Sequence, residues 1–354
     1  MSYSTCFFVL TLIIASASLA GSPDDKVLRL KIVSIQDRSS VGIEGEALQM
    51  LIPTGWQTTG GILWRHDLAN LATLAMRVAS PNGSEAVEFF PLTPHSWPPP
   101  FGFAQGNNYL GNILLPPVDP AVYVQQMILP QFRRQINARL IERQTLPEVA
   151  QALAASAQQR GYNVVKAEKV RLEYAEGETM MHEDIYCILV YGQYSTGMIW
   201  SADRLYSFKA PKGELDARAA LFQTMVASQQ INLSWFNKYL QVVGMWQQNV
   251  MASIRSAGML SRYISQTYDE ISAMNRQAWE NYQATSDRVN QQFSEQIRGV
   301  ETYQNPFESR PVELPSGYQD AWANAKGEYI LSDSPNFNPN AGSTQNWQRL
   351  PKVQ

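Results

Sequence analysis

The scarcest chemistry-bearing residues in this 354-residue chain are its three histidines, His66, His95 and His182. A zinc site asks for three or four converging ligands, often with two of them at helical or turn spacing. No two of these histidines stand close in sequence, and no His-Glu-x-x-His motif occurs. His66-Asp67 and His182-Glu183-Asp184 come nearest to half-sites, but neighbouring residues on a strand point to opposite faces. No metal or other cofactor is therefore expected. Nucleophile patterns are equally absent: there is neither a Gly-x-Ser-x-Gly elbow nor a Ser-x-x-Lys pair. Gly60-Gly61 and Gly102 lack the glycine spacing and the lysine of a phosphate loop. Cys187 sits in the apolar run Ile185–Val190 and reads as a buried small hydrophobe rather than a reactive thiol. Glu85, Glu88, Glu183 and Asp184 fall on expected strands or at their ends. They leave a glycosidase-like carboxylate pair conceivable, as part of an unrecognised hydrolase. The chain is otherwise read as non-catalytic.

The strongest binding candidates are aromatic. Trp97, Phe101, Phe103 and Tyr109 are set among eight prolines between Pro91 and Pro120. So long an irregular stretch is either a binding loop or a packed surface loop. Two readings stand side by side: a covering flap whose aromatics close the core, and a ligand or partner surface. In the second, the aromatic faces suit apolar groups or a glycan.

Stepping outward to address, Cys6 to Ala20 is apolar or small and too short to span a bilayer as an ordinary helix. Ser18-Leu19-Ala20 offers a signal-peptidase cut before Gly21, although Met1 to Thr5 carries no Lys or Arg. Residues 1–20 are therefore expected to be a signal peptide, and the mature protein to be periplasmic or extracellular. Leu19-Ala20-Gly21-Ser22 has serine where a bacterial lipoprotein box needs its lipidated cysteine. No transmembrane anchor is expected in the mature chain. A net charge of −3 with 17% charged residues supplies no basic field for nucleic acid. The 45% hydrophobic content, with 9 Trp and 16 Tyr, argues for a folded protein rather than a disordered one.

The elements that must position these residues divide into three stretches. Residues 21–212 read as an α+β, sandwich-like body: an antiparallel sheet with packed helices. Its strands are Val27–Ile35, Ala47–Ile52, Ile62–Arg65, Thr73–Ala79, Glu85–Phe90, Val164–Glu173, Glu178–Val190 and Gly197–Phe208. Helices are expected from Pro120 to the bend at Pro130, and from Pro147 to Gly161. Residues 213–298 read as helical, with no proline from 212 to 305 and an apolar stripe from Phe236 through Tyr239, Val243 and Val289 to Phe293. A continuous Leu233–Ile297 helix would run about 95 Å at ~1.5 Å per residue. Gly258 is therefore expected to mark a bend or the turn of a hairpin. The stripe would pack on its own body, or serve self-association or a protein partner. Residues 299–354 read as a small β-meander and an extended tail.

Two resemblances follow from residues already quoted. Ile52-Pro53-Thr54-Gly55-Trp56, between strands of the Ala47–Pro91 region, resembles the opening of the PsbP-like α/β sandwiches. That likeness implies a non-enzymatic binding or assembly role. The segment from Gly317-Tyr318 through Trp322 and Gly327-Glu328-Tyr329 to Pro335 resembles C-terminal segments of uncharacterised secreted bacterial proteins. The expectation is thus an exported, non-catalytic protein acting through protein–protein contacts of its helical segment and its Pro/aromatic loop. The alternatives are a small-ligand or glycan binder built on Trp97, Phe101, Phe103 and Tyr109, and an unrecognised hydrolase.

Overall fold

The computed structural model describes residues 27–38, 43–65, 67, 69–134, 136–195, 197–247, 273–296, 299–308 and 310–353. The expected signal peptide and the bend at Gly258 lie outside the described residues. In chain order, the first strands are β1 (Val27–Asp37), β2 (Gly45–Pro53), β3 (Gln57–Trp64), β4 (Ala72–Ala79), β5 (Ala86–Phe89), β6 (Pro94–Trp97), β7 (Asn108–Tyr109) and β8 (Asn112–Leu114). A helical segment follows, made of α1 (Pro120–Tyr123), a π-helical turn over Val124–Ile128, and α2 (Leu129–Phe132). Next come β9 (Arg139–Thr145), α3 (Pro147–Gln159), β10 (Val164–Glu176), β11 (Thr179–Tyr194) and β12 (Gly197–Pro211). After them lie α4 (Leu215–Ala227), β13 (Gln230–Ile231), α5 (Leu233–Gln247) and α6 (Ala273–Gln296). The chain closes with β14 (Val300–Tyr303), β15 (Val312–Pro315), β16 (Asp320–Ala323), β17 (Glu328–Ser332) and β18 (Gln348–Arg349).

The larger sheet runs β3-β4-β5-β12-β11-β10-β9, with β6, β7 and β8 attached beside β12. Beside its central strand β12 lies β11, which alternates at period two between two cores. Tyr186 and Ile188 enter the main core, while Ile185, Cys187 and Leu189 enter a second core on the opposite face. Both faces are covered, so the strand reads as a continuous apolar run. The main core lies between this sheet and a six-stranded one, with Phe222 of α4 and Phe293 of α6 filling it. The second core is closed by the α1–α2 segment through Ala121, Tyr123, Val124 and Ile128.

The smaller sheet has the order β13-β2-β1-β17-β16-β18 and is antiparallel throughout. The Pro53-Thr54-Gly55-Trp56 turn leaves it: Gly55 takes φ 91°, and Trp56 packs its ring 6.4 Å from Phe222. Gly327 opens β17 at φ 73°, and a Cβ there would lie 2.6 Å from Ile32 Cδ1. Only glycine lets the last strands close against β1.

Two expectations are corrected by this architecture. The chain is mostly β, with 43% strand against 24% helix, so neither the α+β class nor a long helical segment holds. Sequence periodicity passed over β9, which is exposed and charged, and the short β6–β8 strands among the prolines. The Leu233–Ile297 run is not one helix. Its described parts are α5 and α6, which meet through Phe236 and Tyr282 at 5.8 Å. Val289 and Phe293 of α6 are buried in the main core. Among the described residues of this run, Val242, Val289 and Phe293 are thus packed into the protein's own body. In the C-terminal meander, β17 occupies the middle of the smaller sheet beside β1.

Candidate functional site

The titratable residues singled out in the sequence are dispersed by the pleat. His182 faces Glu173 at 3.3 Å on one side of β11. Lys212, then Arg139 and His182, hold the Glu173 carboxyl down at about 2. Glu183 points to the other side and is fully buried. It accepts Arg133 Nε at 2.9 Å and Nη2 at 2.6 Å, and the Tyr174 hydroxyl at 2.9 Å. Burial pushes its carboxyl up, but the Arg133 guanidinium outweighs that and leaves it below the ordinary range. Arg133 Nη2 also donates to Glu88 Oε2 at 2.7 Å. Asp184 is bound by Arg171 at 2.7 and 2.8 Å, and Glu85 by Arg218 at 2.7 Å. Each acid is therefore paired with an arginine, Arg133 serving both Glu88 and Glu183. His66 lies outside the described residues. Among the described residues, no three His, Cys, Asp or Glu side chains converge to hold a metal ion. Cys187 is buried, and burial pushes its thiol well above the ordinary value.

The aromatic residues are arranged differently. His95 of β6 is wholly buried and stacks on Trp200 at 4.2 Å, with Tyr123 edge-on at 5.9 Å. Neither ring nitrogen has a partner of normal hydrogen-bond geometry. Burial lowers its pKa to about 4, against a smaller opposing push from the Ile113 backbone. Trp200 Nε1 donates to Leu115 O at 3.0 Å, and the Tyr191 hydroxyl donates to Val118 O at 2.6 Å. These contacts fasten the Pro-rich segment to the sheet at both its ends. They act as its floor.

Above that floor the loop projects. Trp97 is half-buried at the end of β6, paired with Met198 of β12. Phe103 and Tyr109 meet edge-to-face at 4.9 Å. Phe101 stands apart at 106% relative exposure, while Phe103 is 43% and Leu110 is 73% exposed. The four sequence candidates are thus not gathered around one pocket. Phe103 and Tyr109 are brought together, and Phe101 is presented alone. Reasoning from sequence missed Leu110, which completes the apolar tip. It occupies the first central position of the two-residue β7–β8 turn, with φ 50° followed by Gly111 at 82°. Positive φ at both central positions is the type I′ pattern, for which Asn-Gly is the favoured pair. Leucine there carries both exposure and left-handed strain.

The tip is rigidly tied. Ala104 N donates to Asn107 Oδ1 at 2.9 Å, Gly106 N to Leu114 O at 2.8 Å, and Gly111 N to Asn108 Oδ1 at 3.0 Å. From Phe89 to Val118 the chain carries no Asp, Glu, Lys or Arg.

No family model matches this chain, and no curated protein matches it. The exposed loop tip is an apolar surface that this fold presents. The surface it provides is uncharged, apolar and pre-organised, which suits recognition by contact rather than bond-making.

Proposed function

We propose that this is an exported, non-catalytic protein that works by binding another protein through the tip of its Pro/aromatic loop. Leu110 carries the reading. A left-handed leucine costs roughly 1–2 kcal/mol, whereas Asn visits that conformation readily. Its exposed side chain gains nothing within the fold to offset that cost. Contact with a partner supplies the missing gain; Phe103, edge-on to Tyr109, extends the same apolar tip, and Phe101 stands exposed two residues before it in the chain. Backbone ties within the loop reduce the entropy lost on binding. The likeness of the Pro53–Trp56 turn to PsbP-like sandwiches points to the same kind of role.

The reading makes stability and binding move in opposite directions. Leu110→Asn is expected to stabilise the fold by about 1 kcal/mol in denaturant unfolding, because it relieves the strained turn. The same change, combined with Phe103→Ser, is expected to weaken partner capture severalfold. A photo-crosslinking residue at Phe101, in the producing cells, tests the capture. A discrete protein adduct is expected there, reduced by the double change and absent when the probe sits at exposed Val353. Equal labelling at the two positions, or none at Phe101, overturns the reading.

A further inference from the structure

Away from the loop, a cleft of about 220 Å³ opens between α6, the β1–β2 pair and the β14–β15 hairpin. Both ends of the chain build it. Its floor is apolar, and its walls carry one guanidinium, Arg310, and three carboxylates, Asp287, Glu308 and Glu313.

Their partners set this cleft apart from the other charge clusters. Arg133, Arg143 and Arg171 each grip a carboxylate with two hydrogen bonds of 2.6 to 2.9 Å. Among the described residues, nothing grips Arg310 in this way. Its Nη1 lies 3.4 Å from Gln283 Oε1 and 3.9 Å from Asp287 Oδ1, and the side chain is 32% exposed. Charge-assisted hydrogen bonds run at about 2.7–2.9 Å, so the donors of this planar fork are largely unspent. Two of the acids are tethered, while Asp287 is 60% exposed. Tyr329 donates its hydroxyl to Glu308 Oε1 at 2.8 Å, and Asn305 Nδ2 donates to that hydroxyl at 2.6 Å. Ser294 donates to Glu313 Oε2 at 2.5 Å. An available cation and fixed acceptors therefore face one small enclosed space.

A volume of 220 Å³ falls below the roughly 300–1,000 Å³ of pockets that take drug-sized ligands. The occupant must be small, and must offer an anionic group to Arg310 and a cationic donor to the acids. We propose that the cleft binds a zwitterion of free amino-acid size, with its carboxylate on the Arg310 fork and its ammonium between Asp287 and Glu308. This site is independent of the loop tip, so either can fail without the other.

Isothermal calorimetry and thermal denaturation of the intact protein test it. The probes are L-serine, L-leucine and L-lysine, with isoamylamine and 4-methylpentanoate as leucine analogues lacking one charge each. At least one amino acid is expected to bind with a dissociation constant of about 1 mM or tighter, and to raise the melting temperature. Removal of either charge from leucine is expected to weaken binding at least ~10-fold if leucine is the ligand class preferred. Arg310→Gln is expected to abolish binding of the amino acid while leaving the ligand-free melting temperature unchanged, since its existing contacts are long. Absence of binding by all three amino acids up to about 10 mM overturns the proposal. So does an amine that binds as tightly as its amino acid, or an Arg310→Gln protein that binds normally.

Discussion

Buried His95 and the buried Arg133–Glu183 pair define the electrostatics on this side of the larger sheet. His95 is kept neutral by burial, with its pKa lowered from 6.5 to about 4. In the unfolded chain it takes up a proton near its ordinary value, while in the fold it resists until much lower pH. The unfolded state thus binds more protons between those values, and stability falls as pH drops from about 6.5 towards 4. The loss attributable to this residue is up to about 3 kcal/mol, at ~1.36 kcal/mol per pH unit of displacement. His95→Phe, which keeps a ring against Trp200, is expected to flatten this part of the pH dependence in urea unfolding at pH 7 and pH 4.5. Arg133 and Glu183 form the opposite case, a charged pair buried together. Arg133→Met leaves Glu183 buried and unpaired, and is expected to cost about 3–5 kcal/mol. The double change Arg133→Met with Glu183→Leu is expected to cost much less than the sum of the single changes. Strict additivity in that cycle would show that the two do not act as a pair.

At the scale of elements, α5 depends on one carboxylate. Asp37, at the end of β1, is buried and accepts the indole N–H of Trp64 at 2.9 Å and of Trp235 at 3.0 Å. It also accepts the Ile43 backbone N–H at 3.1 Å. Trp235 stacks on Tyr239 at 5.6 Å, so this acceptor sets the angle at which α5 meets the sheet. Asp37→Ala removes the acceptor of the buried Trp235 indole and of the half-buried Trp64 indole, at roughly 1–3 kcal/mol each. A loss of about 2–5 kcal/mol in unfolding free energy is expected, with a shift in tryptophan emission as Trp64 and Trp235 loosen. A variant of unchanged stability and emission would make the acceptor incidental. None of this joint could be read from the periodicity of α5, which shows where the apolar side chains lie but not which strand end meets them.

For the whole molecule, closure of the smaller sheet is the decisive event. Leu30 pairs with Tyr329 and Val27 with Ser332, so the first described strand finds its partner near the chain's end. Tyr329 and Leu331 are fully buried in the main core alongside Leu30. A protein ending at Lys326 would expose that face and leave β1 an open edge. It is expected to lose the cooperative thermal transition seen by circular dichroism. A sharp transition in the shortened protein would mean the larger sheet folds alone. Such long-range pairing also predicts slow folding relative to helical proteins of similar length, since loop closure precedes the contacts that stabilise it.

Residues with a local signature were legible from sequence. The β11 strand shows an unbroken apolar run from Ile185 to Tyr191, and α3 starts and stops near the Pro147 and Gly161 signals. The pleat rule alone correctly separates His182 from Glu183. The dispersal of histidines and the concentration of aromatics among prolines were equally visible, because each is a property of composition or near-neighbour order. Tertiary structure decided the rest. It left Phe101 and Leu110 exposed, turned Val289 and Phe293 of the helical stripe onto the body, and inserted β17 beside β1. Each of these depends on a partner far along the chain, and burial and pairing are properties of that partner as much as of the residue. Local spacing records which side chains must leave water. Only the folded chain fixes what they meet.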